Sequence, residues 1–175
     1  MGLDIYFHKC KRSNYNAYNK AIEEWQKNEP QSGKLSHEDY EKLSEDEKNK
    51  IQKEVSDWYN KQPEMAEHGI SDIGYFRKVN FLMAFFNYEG NCEYKEIAKS
   101  ELEDLVERCN AILTTPKEHR QEKAEDLLPT QSGFFYGSTE YDQYYYDDVK
   151  EVRDWASEVL KDLKKGEIVL MYCWW

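Results

Sequence analysis

The sequence predicts an α+β domain: a small, largely antiparallel sheet of three or four strands, with several helices packed on it and one of them central and buried. Three observations predict it. Strand-like segments stand at both ends of the chain, Leu3 to His8 and Glu167 to Trp175. Between them run apolar stripes at helical spacing, each with start and stop signals. The third is composition: only 39% of the 175 residues are hydrophobic, but 14 Tyr, 7 Phe and 5 Trp supply the bulk of a core, since each ring can bury about 150–250 Å².

Taken in order, Ile5 and Phe7 alternate with Tyr6 and His8, as on a half-buried strand. Ser13 or Asn14 can cap a helix whose stripe is Tyr15, Tyr18, Ile22 and Trp25, ended by the Glu29–Gly33 loop. Residues 26–68 hold few large apolar side chains, so a polar helical excursion from a single domain spanning 1–175 is expected there. Within it, Ser44 and Glu47 form a capping box for a helix carrying Ile51, Val55, Trp58 and Tyr59. Residues 75–90 are apolar around nearly the whole helical circumference and are expected to be the central helix, ending near Gly90. A short strand follows over Cys92–Ile97, then a helix capped by Ser100 and Glu103 with Leu102, Leu105, Cys109 and Ile112 inward. Lys117–Leu128 adds a further helical piece, and Phe134-Phe135-Tyr136 reads as a strand after the Pro129–Gly133 turn. The last helix is marked by Tyr145, Val149, Val152, Ala156 and Val159, with Gly166 as its stop.

Charge narrows the function. With 24 Lys+Arg against 35 Asp+Glu the net charge is −11, which argues against a basic nucleic-acid footprint; direct nucleic-acid binding is not expected. No apolar run approaches the roughly 18 residues of a membrane span. MGLDIYFHKC lacks the features of a signal peptide, so a cytoplasmic protein with free thiols at Cys10, Cys92, Cys109 and Cys173 is expected. No cofactor is expected.

Two candidate sites stand out. In Gln131–Asp142, Gly133 and Gly137 flank three rings and are followed by Ser138, Thr139, Glu140 and Asp142 at a helix start. Ser132, these glycines and the hydroxyls could hold an anion, although the spacing is not that of a P-loop. The competing reading is turn and cap chemistry, with Thr139 or Asp142 as the helix cap. The second site is Arg77, Lys78 and Asn80, polar residues in the most apolar stretch of the chain. Arg77 is either a bidentate anion donor or the partner of Glu140 or Asp142 in an internal ion pair. If Arg77 faces the 132–142 segment, the two sites merge into one pocket.

A metal site is not expected. Its one route is convergence of His8, Cys10 and Cys173, should the first and last strands pair. The paired carboxylates near residues 140–148 are explained by the helix dipole, and no nucleophile motif is present. Exposed members of Tyr144–Tyr146, or Trp174 and Trp175, could form a protein-binding patch.

The opening MGLDIYF, the central GYFRKVNFLMAFF and the segment LPTQSGFFYGSTEYDQYYYDDV together resemble a family of small uncharacterised proteins found in bacterial genomes and in phages or prophages. The resemblance covers most of the chain outside roughly residues 26–68. It implies a shared domain and a phage-related setting, and it brings no activity or site residue. The function expected is that of a non-catalytic protein-binding or accessory protein of phage or prophage type, with a protein partner. The alternatives are a binder of, or enzyme acting on, a small phosphate- or carboxylate-bearing ligand, and a DNA-mimicking inhibitor.

Overall fold

Strands β1 (Asp4–Lys11), β2 (Ser71–Arg77), β3 (Tyr94–Ile97) and β4 (Glu167–Trp174) form one antiparallel sheet in the order β2-β1-β4-β3. This is the arrangement in a computed structural model, which describes residues 2–175. Seven α-helices complete the α+β fold among the described residues: α1 (Arg12–Lys27), α2 (His37–Glu41), α3 (Glu45–Tyr59), α4 (Phe81–Phe85), α5 (Lys99–Thr114), α6 (Arg120–Leu127) and α7 (Gln143–Asp162). The chain divides into two compact units. One holds the residues up to Lys11 together with Ser71–Trp175, and the other is Arg12–Ile70.

The first unit carries the sheet. Alternation sends Ile5, Phe7, Phe76, Val169, Met171 and Cys173 to one face, where all are buried against residues of α4, α5 and α7. Leu102, Leu105, Cys109 and Ile112 from α5 meet Val149, Val152 and Ala156 from α7 in the same core. The other face presents a row of tyrosines across all four strands. The registers Tyr75↔Tyr6, Tyr6↔Tyr172 and Tyr172↔Tyr94 set their rings 5.0, 6.2 and 5.0 Å apart.

The β1–β2 pairing has one irregularity. Phe7 faces Gly74 and His8 faces Asp72, so Ile73 is the extra residue of a bulge. The Trp155 indole of α7 donates to the Ile73 carbonyl at 2.6 Å, with its ring 4.3 Å from that of Phe7. A Cβ on Gly74 would lie 2.5 Å from Trp155 Nε1. Glycine is therefore required here so that the helix can seat its indole against the strand.

Several sequence expectations change in detail. Residues 75–90 are not one helix: β2 runs to Arg77, Lys78 takes a left-handed φ of 61°, and α4 is only five residues long. The circumference looked apolar because a strand, a turn and a short helix bury different faces in succession. Phe134–Tyr136 is not a strand either, since the Tyr136 amide closes a turn onto the Gly133 carbonyl (3.1 Å). The helix α1 begins at Arg12 directly from β1, placing Ser13 and Asn14 inside its first turn. At α5 the helix starts one residue before Ser100, and Glu101 accepts from the Ala98 amide at 2.7 Å. The strand expected from Cys92 starts at Tyr94, because Cys92 sits at a φ of 61°.

The second unit is helical and holds the expected Ser44–Glu47 capping box. Trp25 of α1 and Trp58 of α3 stack at 4.1 Å with planes 4° apart. Each indole donates to the other residue's carbonyl, at 2.9 and 3.0 Å. This reciprocal pair replaces the core that the polar sequence does not provide.

Gly74→Ala is expected to cost about 1–3 kcal/mol by overpacking, or roughly 3–10 °C in thermal midpoint. Combined with Trp155→Phe the two costs should be less than additive, because both act at one contact. Thermal melts of the two single variants and the double variant check this.

Candidate functional site

The 130–142 loop is held from beneath by Asn80, which is 3% exposed. Its Nδ2 donates to the Tyr136 and Ser138 carbonyls at 3.2 and 2.8 Å, and its Oδ1 accepts from the Gln131 amide at 3.2 Å. All the amide's main hydrogen-bonding directions are thus used by one loop. The chain start closes the other side: Leu3 donates to the Phe135 carbonyl at 2.9 Å and accepts from the Lys78 amide at 2.8 Å. Thr130 N–H donates to the Tyr141 hydroxyl at 3.1 Å. Asp142 Oδ1 accepts from the Tyr145 amide at 3.1 Å and caps α7, so of the two caps considered the carboxylate takes the role. Gly137 has a φ of +91° and packs directly over Lys78.

The loop, the β2–α4 turn and the first turns of α7 border an open cavity of about 240 Å³. Six of the ten candidate residues line it: Arg77, Lys78, Asn80, Ser138, Glu140 and Asp142. The two sequence candidates therefore form one pocket. Ser132, Gly133, Gly137 and Thr139 do not line it. Gly133 serves the turn instead, since a Cβ there would lie 2.7 Å from the Tyr136 ring. Sequence reasoning missed Thr130 as a lining residue and read Asp148 as a dipole partner, with acid–base work beside Asp147 as the alternative. Asp148 could have been found from helical spacing, four residues after Tyr144 and on the same side of α7.

Arg77 pairs with neither Glu140 nor Asp142. The β1–β2 register sets it opposite Asp4, whose Oδ1 is 3.6 Å from Arg77 Nη1. Tyr75 donates to the same Asp4 oxygen at 2.5 Å, and this hydrogen bond to the carboxylate is the main cause of a raised Tyr75 pKa. Strand pairing sets the Asp4 carboxylate directly across from Arg77, so the cross-strand partner takes the pair.

Asp148 has its pKa raised to about 6, first by burial and then by the like charges of Glu151, Asp147 and Asp142. Phe134 is 96% and Tyr144 79% exposed. The neighbouring Tyr145 is buried and donates to the Leu128 carbonyl at 2.8 Å, while Tyr146 lies under the Arg120 guanidinium at 5.5 Å.

The thiols and His8 lie elsewhere. β1 and β4 do pair, but the register puts Cys173 opposite Ile5 on the core face, whereas His8 and Cys10 point to the other face. His8 Nδ1 is instead 2.8 Å from Asp72 Oδ1. No group of three His, Cys, Asp or Glu able to hold a metal is found among the described residues. Burial pushes the Cys109 and Cys173 thiols up to about 12, far from thiolate chemistry at neutral pH. No disulfide forms among the described residues, and no helix there is long and apolar enough to cross a membrane.

No family model matches the chain, and no match was found among curated proteins or solved structures.

Two outcomes follow from this geometry. Asn80→Ala strands two carbonyls and one amide, and at about 1 kcal/mol per hydrogen bond it should cost about 3 kcal/mol. Thermal melts should show a drop of roughly 6–12 °C, with accelerated hydrogen exchange at the Gln131 amide. Asp148→Asn should stabilise at neutral pH. A carboxyl whose folded pKa is raised weakens the fold as pH rises from about 4 to 6 and leaves it weakened above. With solvent screening, a gain of about 1 kcal/mol is expected, or roughly 2–4 °C at pH 7.5. It should vanish near pH 4, where both side chains are neutral in the folded state.

Proposed function

We propose that this chain is a non-catalytic, cytoplasmic protein-binding protein, of the phage or prophage type that its MGLDIYF, GYFRKVNFLMAFF and SGFFYGSTEYD segments resemble. Its contact surface centres on Phe134. One observation carries this reading: Phe134 is 96% exposed on a loop whose flanking backbone is pinned by Asn80 and Leu3. A large apolar ring held outward on an ordered backbone loses little further entropy on docking, as in a preorganised anchor. Tyr144, 79% exposed at the adjoining helix start, supplies a second aromatic contact. Rings of this kind dominate binding hot spots when a partner pocket covers them. The surplus of 35 acidic over 24 basic side chains favours a partner with a basic face and speeds its encounter.

The test places a photoreactive benzoyl-phenylalanine at position 134 and irradiates the protein in bacterial lysate. A discrete adduct is expected, suppressed by excess wild-type protein. Phe134→Ala should be a weaker competitor by at least about tenfold, as loss of a hot-spot side chain would make it. Competition by Phe134→Ala equal to that of wild type would overturn the reading, as would a smear without a discrete adduct.

A further inference from the structure

The cavity beneath the loop is a separate feature from the Phe134 surface, and its charges are unusual. Arg77 and Lys78 enter it from the β2–α4 turn, while Glu140, Asp142 and Asp148 enter it from the loop and α7. The cavity opens to solvent, with Arg77, Lys78, Glu140 and Asp142 exposed and Asp148 half-buried. Here neither cation makes an ion pair with any of the three carboxylates among the described residues; Arg77 turns to Asp4, and Asp142 is committed to the Tyr145 amide. Lys78 Nζ and the carboxylates of Glu140 and Asp148 make no hydrogen bond or ion pair with another described residue. Their backbones are held in place. Lys78 is fixed by its left-handed φ of 61° and by its amide bond to Leu3, with Gly137 packed against its stem. The backbone of Asp148 is set by α7, and that of Glu140 by its amide, which donates to Ser138 Oγ at 3.1 Å.

A purely anionic ligand would meet three carboxylates, and a purely cationic one would meet Arg77 and Lys78. A molecule with both charges meets a partner in both sets. The space of about 240 Å³ exceeds the roughly 10–15 Å³ that one water needs and falls short of the roughly 300–1,000 Å³ of drug-sized pockets. We propose that this cavity binds a small zwitterion of the free α-amino-acid type, with Lys78 and Arg77 receiving its carboxylate and Asp148 and Glu140 its ammonium. The hydroxyls of Ser138 and Tyr144 also line the cavity and offer further hydrogen bonds to either end. The ligand fills the gap that the fold holds open between its own opposite charges. This inference does not depend on the Phe134 surface.

The test is NMR titration of protein labelled with 13C at Asp and Glu carboxyls and 15N at amides, against a panel of free α-amino acids. The ammonium is then removed by N-acetylation and the carboxylate by amidation of whichever member binds. The expected result is saturation by about 10 mM for at least one amino acid, with shifts at the Asp148 carboxyl and the Lys78 and Glu140 amides. Both derivatives should bind at least tenfold more weakly. Asp148→Asn and Lys78→Ala should each weaken the parent at least tenfold while keeping folded amide spectra, and Phe134→Ala should leave it unchanged. Absence of saturation across the panel would overturn the proposal. So would equal binding of either derivative, or unchanged binding by Asp148→Asn.

Discussion

A single buried amide organises the part of this protein where chemistry is concentrated. Asn80 sits just after a strand, in the turn that leads into a five-residue helix, and spends its hydrogen-bonding capacity on the carbonyls of Tyr136 and Ser138 and the amide of Gln131. Buried polar groups without partners cost about 1–3 kcal/mol each, so the loop cannot leave without stranding groups on both sides. The clamp has two consequences. It roofs the core with Tyr136, and it leaves Phe134 outward at the loop's tip.

The sheet supplies the fixed frame for that clamp. Because β1 lies between β2 and β4, it settles which residues oppose one another on both sides, and with them the pairing of Arg77 to Asp4. The bulge at Ile73 turns a carbonyl out of the ladder, and the Trp155 indole takes it. One local irregularity thus ties the longest helix to the sheet, and Gly74 makes the room. These contacts set the position of α7, and therefore of Asp142, Tyr144 and Asp148 around the cavity.

Electrostatically the molecule is neither a uniform acid nor a set of neutralised pairs. Exposed ion pairs between helix neighbours, such as Lys20–Glu24 and Lys99–Glu103, contribute little. The exception is the cavity, where two cations and three carboxylates share a small space without closing on each other. The like charges Glu151, Asp147 and Asp142 add to burial in raising Asp148. Together they weaken the fold when Asp148 is ionised.

What the sequence determined by itself is local. Period-two alternation at Ile5 and Phe7, the apolar run of the last strand, the Ser44–Glu47 box, the stripe from Tyr145 to Val159 and a cap at Thr139 or Asp142 are all decided by neighbours a few residues away, and they were legible for that reason. The candidate residues were legible too, as polar groups in an apolar stretch and as a glycine-flanked hydroxyl and carboxylate cluster. What only the tertiary structure decided involves partners distant in the chain. The apolar run at 75–90 reads alike as a buried helix or as a strand, turn and short helix, because periodicity cannot separate burial on one element from burial on three in succession. Register chose Asp4 over Glu140 for Arg77, and it sent Cys173 to the face away from His8 and Cys10. The joining of Arg77 and Lys78 with Ser138, Glu140 and Asp142 in one cavity depends on Asn80 bridging more than fifty residues of chain. No pattern within either segment encodes that contact, since it exists only once the sheet has brought the two segments together.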